Sequence, residues 1–543
     1  MNLLIKNFGG DPDRKPPKKI RSSTKGHLLK RALNHNLLYL KLMKTRDELR
    51  LYFENGDKPT QEHFWEWQNS YWHKEEKIDM EKITGLENGL PNPNDIYPEI
   101  DQEGNASLQS YLGKRMFISK GTINIPDSFA PGMSITKVSI PEGVTNIGVG
   151  AFMSNLISEL NLPQSMVSIK NNAFYNNKLS SIHLPEGIID IAPGAFGYNM
   201  LESVHIPETL SVISEYVFAN NQLKNVNIPD NITEIKEGAF NTNLLESVSL
   251  PSGIIKLGRY VFAYNQLSSI EIPDSITEIN EWAFQSNQLT SIRLPENITM
   301  LGNGAFEGNK ITSINIPQGI TQISSSVFMN NQLKELNIPE TVTYIGVNAF
   351  ANNALTSVII PNSVTYIDGA AFQNNKLASI NIPENITKIE TSVFTNNELV
   401  SFEISDKITE IGSGAFQNNK LTSIHIPESV TRVFDTAFQN NQLSSLSIPK
   451  SIKKIERSSF ADNKIASLNI PKNISFIQGS AFRNNQLTSV NFEGDVYIGS
   501  FAFAGNNLTQ VILGENTIYH SQTFDPGVEV IGGFIDNSVD YYM

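Results

Sequence analysis

The sequence predicts a mainly β repeat solenoid with a small α-helical module near its N-terminus, and three observations carry that prediction. A phenylalanine recurs every 22 residues from Phe152 to Phe482, sixteen in register without a slip. An asparagine stands three residues after each of them, from Asn155 to Asn485. Between successive phenylalanines runs a short apolar segment that proline closes in most copies. Self-similarity at a period of about 20–50 residues marks units too small to bury their own apolar face, which must stack on their neighbours.

One copy, from Phe284 to Phe306, shows how the coil is built. Leu289, Ile292 and Leu294 follow the L-x-x-L-x-L pattern of a leucine-rich repeat strand. Alternation sends these three inward and leaves Thr290 and Arg293 facing out. Pro295 has no N–H to donate and ends the strand. Ile298 and Leu301 add two inward residues on the return path, and Phe306 closes the coil. Stacking turns each position into a column. The phenylalanines form a spine of rings. An inward carboxamide both donates and accepts, so the asparagines can satisfy the backbone of tight turns and bridge adjacent coils. The Ala or Val before each Phe, Ser459 excepted, lets backbones approach closely.

The ends depart from the clock. Phe129 is out of register beside Pro131-Gly132-Met133, and Phe503 and Phe524 arrive at spacings of 21 with Glu493 in place of the strand-ending proline. These features place an N-terminal cap and first degenerate repeat at 116–151, the regular solenoid at 152–492, and degenerate repeats with a C-terminal cap at 493–543.

The unit Ile-Pro-x-x-Ile-Thr-x-Ile-x-x-x-Ala-Phe resembles the BspA-like leucine-rich repeats of bacterial surface proteins over residues 120–525. The resemblance implies adhesion or recognition and no catalysis. Many members of that family carry Cys where this chain has the ladder Asn, a change that leaves the fold intact.

Composition agrees with a binding role. Of the 543 residues 40% are hydrophobic and 18% charged, which excludes a wholly disordered chain. No stretch approaches the roughly 20 apolar residues of a spanning helix, so no membrane insertion is expected. The absence of cysteine excludes disulfides, thiolate zinc sites, iron–sulfur clusters and a cysteine nucleophile. The eight histidines form no triad, and no H-E-x-x-H, phosphate loop or calcium repeat occurs, so neither cofactor nor metal is expected. His183 and His205 share a register in adjacent coils; they read as a metal pair lacking a strong third ligand, or as two stacked, solvated imidazoles.

The candidate ligand-binding residues lie on the outward strand column: Asn161, His183, His205, Asn227, Glu271, Arg293, Asn315 and Asn337. Such a shallow polar surface suits a host-cell glycan or protein, and equally a sheet face kept soluble. Asn-x-Ser/Thr triplets at Asn231, Asn297 and Asn385 follow from the repeat template rather than from a modification signal.

The head is different in kind. Residues 1–50 hold 13 Lys and Arg against four acids, a balance of +9, so the total of -13 leaves -22 on the remainder. Residues 1–45 read as a flexible basic arm; its aromatics are not interleaved with its charges, and no nucleic-acid partner is expected. Residues 46–90 read as an aromatic-rich helical attachment module, with Phe64, Trp65, Trp67, Tyr71 and Trp72 as its docking residues. Residues 91–115 read as a linker. The segment 47–86 is similar to N-terminal segments of tail-fibre-like proteins from phages of Bacteroidota, which implies anchoring to tail or baseplate proteins. The start Met1-Asn-Leu-Leu-Ile-Lys-Asn has three consecutive apolar residues, short of the about 7–15 in a signal peptide. The expectation is therefore a non-enzymatic, receptor-binding or tail-fibre-like component of a virion or phage-like particle. The alternative is a BspA-like bacterial adhesin or protein–protein interaction scaffold, at the cell surface or in the cytoplasm.

Overall fold

The computed structural model describes residues 108–112 and 115–538. The basic arm, the attachment module with Phe64, Trp65, Trp67, Tyr71 and Trp72, and most of the 91–115 segment lie outside the described residues. Among the described residues every regular element is a β-strand, so the expected N-terminal helices are not among them.

The steadiest ladder lies on the return path. Two-residue strands repeat there from Asn124–Ile125 through Glu278–Ile279 and Met300–Leu301 to Phe476–Ile477. Neighbours pair parallel and in register, as in Glu278↔Met300 and Ile279↔Leu301. The second residue points inward and is buried, Ile279 and Leu301 among them, while the residue before the strand, such as Thr299, is exposed.

The L-x-x-L-x-L segment was expected to be the main strand, and it is the less regular of the two. Its apolar residues Leu289, Ile292 and Leu294 are buried as expected, yet this copy contributes only a single bridge, Glu271↔Arg293. Where Glu493 replaces the strand-ending proline, its N–H donates to the Ile470 carbonyl at 3.0 Å, and the paired strands Ser467–Ile470 and Ser489–Phe492 run four residues each, whereas the segment before Ser405, which also replaces it, forms no strand.

Inside the coils the phenylalanine rings stack in one column. Centroids stand between 5.3 Å, for Phe152–Phe174, and 6.1 Å, for Phe196–Phe218. The column continues into the degenerate repeats through Phe503 and Phe524, and Phe129 starts it edge-on, 6.0 Å from Phe152. Burying each ring removes its area from water and adds ring–ring contact.

The asparagine column does what a bridging carboxamide should. Asn287 Oδ1 accepts the Leu267 N–H at 3.0 Å, and its Nδ2 donates to the carbonyls of Phe262 at 2.9 Å and Phe284 at 3.1 Å. One side chain thus serves backbone groups of two coils, and the same three bonds recur at Asn177 and Asn463. Each ring residue also ties its coil to the next: the Phe284 N–H donates to the Ala305 carbonyl at 2.9 Å. That bond puts the residue before Phe against a neighbouring backbone, which explains the requirement for Ala or Val. Ser459, the exception, buries a hydroxyl without a hydrogen-bond partner.

The first coil is closed by a hairpin. Leu108–Leu112 pairs antiparallel with Arg115–Ile118, which pairs parallel with Lys137–Ser139. An antiparallel strand covers an edge that would otherwise invite another chain. At the far end the last strands are Glu529–Ile531 and Phe534–Ile535.

Candidate recognition surfaces

A core built from repeated inward positions leaves several exposed surfaces, among them the strand face and the turn that carries each phenylalanine. On the strand face Asn161, His183, His205, Asn227, Glu271, Arg293, Asn315 and Asn337 are all exposed. Bridges join His205 to Asn227, Glu271 to Arg293 and Asn315 to Asn337, so the expected column exists. Two of its members are engaged by neighbouring coils. His205 Nε2 lies 2.9 Å from Glu186 Oε1, and Arg293 Nη1 lies 3.7 Å from Asp274 Oδ1. Among the described residues no group of three or more His, Asp or Glu gathers that could hold a metal ion. Ile359 interrupts the polar column and is 77% exposed.

Further along the same face, at the four-residue strands Ser467–Ile470 and Ser489–Phe492, lies a groove of about 710 Å³ lined by Ser467, Asn469, Ser489, Asn491, Phe492 and Ile512, among others. Its carboxamides are pre-oriented in a chain. Asn491 Nδ2 donates to Asn469 Oδ1 at 2.6 Å, and Asn469 Nδ2 donates to Glu493 Oε1 at 2.7 Å. The Asn469 bond holds the Glu493 carboxyl below its ordinary range.

The sequon asparagines serve the fold. The Nδ2 of Asn231 donates to the Leu210 carbonyl at 2.5 Å, that of Asn297 to Asp274 at 2.7 Å, and that of Asn385 to Asn362 at 3.0 Å.

The turn surface was not anticipated. Two residues before and two after nearly every phenylalanine, the backbone enters the left-handed region, as at Asn172 (φ 56°) and Asn176 (φ 56°) around Phe174. Gly150, Gly194, Gly238, Gly304 and Gly414 occupy the first of these positions in other coils, and this recurrence was the signal in the sequence. From Asn330 to Asn440 the second position is always Asn, and the side chains bond to one another: Asn352 Nδ2 donates to Asn330 Oδ1 at 2.7 Å, and Asn440 Nδ2 to Asn418 Oδ1 at 2.8 Å. In the earlier coils the second position carries Tyr198 and Tyr264, and the first carries Tyr216, Tyr260 and Trp282.

With this geometry established, comparison with known proteins decides the family. The profile described as "BspA type Leucine rich repeat region (6 copies)" matches residues 123–245, 213–334, 321–444 and 409–525. The chain belongs to the BspA-type leucine-rich repeat family. Its matched region begins at residue 123, downstream of the 47–86 segment whose likeness to tail-fibre proteins is not shown. Among curated proteins no match was found. Among solved structures, YopM from Yersinia enterocolitica is 19% identical, with 76% of this chain and 89% of that one covered and a TM-score of 0.41. A leucine-rich cell surface protein from Faecalibacterium prausnitzii is 20% identical over 73% of this chain and 93% of that one, at a TM-score of 0.35. The functional domain of InlJ from Listeria monocytogenes, which includes a cysteine ladder, is 13% identical over 66% and 73%, at 0.36. Among the described residues no helix is long and apolar enough to cross a membrane.

Proposed function

We propose that this BspA-type solenoid is a non-enzymatic recognition scaffold that binds a protein partner through its strand face, in the manner of a bacterial surface adhesin. The observation that supports it is the in-register outward column, in which small uncharged hydrogen-bonding groups such as Asn161, Asn227, Asn315, Asn337 and Asn491 are exposed over a closed interior. Fixed strands hold these groups at regular spacing, so a partner meets them without ordering a loop. Arg293, the cationic member of the column, is paired with Asp274 of the neighbouring coil. The same surface serves whether the chain is displayed by a cell or by a particle.

The test is a triple substitution, Asn227→Glu, Asn315→Glu and Asn337→Glu, in the full chain. These positions are exposed, so folding is expected to be unchanged. Binding to bacterial and epithelial cell surfaces, read by flow cytometry, should drop at least tenfold if the strand face is the contact, as hot-spot loss implies. Undiminished binding would remove the strand face from the account.

A further inference from the structure

One outward column changes sign along the array. From Glu142 to Glu428 the residue after each strand-ending position is acidic ten times, neutral four times and never basic, and all fourteen are exposed. The next two coils put Lys450 and Lys472 there; besides these, only Lys120 of the capped first coil is basic in this register. Like charges in register repel, and elsewhere the chain sets lysine against glutamate of a neighbouring coil, as in Lys256–Glu234 at 2.9 Å and Lys388–Glu410 at 2.7 Å. Among the described residues no carboxylate lies at ion-pair distance from Lys450, Lys453 or Lys472. The Lys453 ammonium instead donates to the Lys450 carbonyl at 3.5 Å, and Glu428 accepts the backbone N–H groups of Lys450 and Ser451, each at 3.2 Å. A body that carries -22 over residues 51–543 thus gathers three ammonium groups without a paired acid in two coils.

This patch adjoins the groove of the strand face. Asn469 stands three residues before Lys472 on the same coil, and Glu493 links the two. It accepts the Asn469 amide at 2.7 Å, and that bond, with lesser help from the charges of Lys450 and Lys472, holds its carboxyl below the ordinary range. The groove carries hydroxyls in one register, Ser445, Ser467 and Ser489, and carboxamides in another, Asn469 and Asn491, all of them exposed. Its floor is apolar. Val490 and Phe492 hold inward positions yet are half-buried, where their counterparts Ile292 and Leu294 are buried, and Ile512 is 65% exposed. Both belong to the coil from Phe482 to Phe503, which is one residue short of the period. Hydroxyl and carboxamide each donate and accept, as a sugar hydroxyl must be met, and accessible apolar carbon suits the C–H face of a pyranose.

We propose that this groove is a binding site for an acidic oligosaccharide, with sugar hydroxyls on Ser467, Ser489, Asn469 and Asn491, a pyranose face on Phe492 and Ile512, and a carboxylate on the ammonium groups of Lys450 and Lys472. Lysine serves the last role as a point charge that meets an anion from several directions. Glu493 stands between the two halves of the site and competes with the ligand's carboxylate for the same ammonium groups. Charge alone is therefore a poor ligand, and hydroxyl contacts must add to it. The site goes beyond the protein partner proposed above and is separate from Asn227, Asn315 and Asn337, on which that reading is tested. Six coils divide Asn337 from Asn469. At about 4.8 Å apiece they span roughly 29 Å, well beyond the about 8 Å over which exposed charges act in physiological salt.

The experiment titrates the full chain with hexagalacturonate, with neutral maltohexaose and with a hexaglutamate peptide, by isothermal titration calorimetry at about 0.15 M salt. Hexagalacturonate should bind at least tenfold more tightly than either of the others. The double variant Lys450→Gln and Lys472→Gln installs the residue that the same column carries at Gln164 and Gln318. It should keep the circular dichroism of the parent and lose about tenfold or more in affinity for hexagalacturonate, the size that a lost charged hydrogen bond implies. Glu493→Gln keeps an acceptor for Asn469, removes the competing charge and should bind hexagalacturonate more tightly. The variant Asn227→Glu, Asn315→Glu and Asn337→Glu should leave this affinity unchanged, so the failure of either reading is seen apart from the other. Equal affinity for hexaglutamate would mean that any acidic chain suffices, and equal affinity for maltohexaose that the lysines contribute nothing; either result would overturn the proposal. So would absence of hexagalacturonate binding, affinity unchanged in the lysine variant, or weaker binding in Glu493→Gln.

Discussion

The turn ridge of residues 194–308 and that of residues 326–484 share one interior and differ outside. In both, phenylalanines stack and asparagines bridge coils at the same distances: Asn287 and Asn375 each reach the preceding Phe carbonyl at 2.9–3.0 Å. In both, the backbone turns left-handed two residues before and after each ring. The later stretch fills the first of those turns mostly with small residues such as Ser326 and Ala370, and zips the second, from Asn330 to Asn440, into a surface ladder. The earlier stretch places tyrosine and tryptophan there against the backbone's preference. The interior template therefore sets the fold alone, and identity resides in outward positions the template leaves open.

The sharpest way to break this comparison is to delete a ring from each stretch. Phe284→Ala and Phe372→Ala should each cost about 3–5 kcal/mol in urea unfolding, since both are fully buried. A large cost in only one of them would mean the interiors are not equivalent. Next, Asn287→Ala and Asn375→Ala should each lose about 1–3 kcal/mol by the same measurement, because each leaves buried backbone groups of two coils unpaired. Ser459→Ala should gain about 1 kcal/mol, since it restores the template and removes a buried hydroxyl without a partner.

The exchange between stretches sharpens the comparison. Tyr264→Asn should stabilise and Asn374→Tyr destabilise, each by about 1 kcal/mol, the left-handed penalty changing sign with direction. Tyr264 is 49% exposed, so little packing is lost with its ring. The smallest effect is at Glu307. Its carboxyl is raised in the folded chain by burial, so the folded state holds the proton more tightly than the unfolded one. Stability is then highest below the ordinary glutamate pKa and declines as pH rises through the raised value. Glu307→Gln should flatten that decline in a series of pH-dependent melts while leaving the melting temperature at low pH unchanged.

How much of this was legible follows from what repetition constrains. The Phe and Asn columns could be read because a residue buried in every coil must be the same residue in every coil, and register gave their neighbours directly. The strand face could be read because alternation from Leu289, Ile292 and Leu294 fixes which side Arg293 takes. The relative strength of the two ladders could not, since pairing along the L-x-x-L-x-L segment varies from coil to coil while the apolar pattern stays the same. The turn ridge stayed hidden because Tyr216, Tyr260 and Trp282 look like scattered aromatics until backbone conformation shows that they share a strained register with Gly194, Gly238 and Gly304.

Everything rests on consecutive coils forming one continuous stack, and amide hydrogen exchange measures that directly. The N–H of each phenylalanine donates to the next coil, as Phe284 does to Ala305 and Phe416 to Ala437, and the N–H of each first strand leucine, such as Leu267 and Leu399, is held by a buried Asn. Slow exchange should therefore recur at both positions every 22 residues from Phe152 to Phe482. Fast exchange at a run of these amides in the middle of the array, with protection on either side, would show separate bodies joined by loose chain and contradict the single stack.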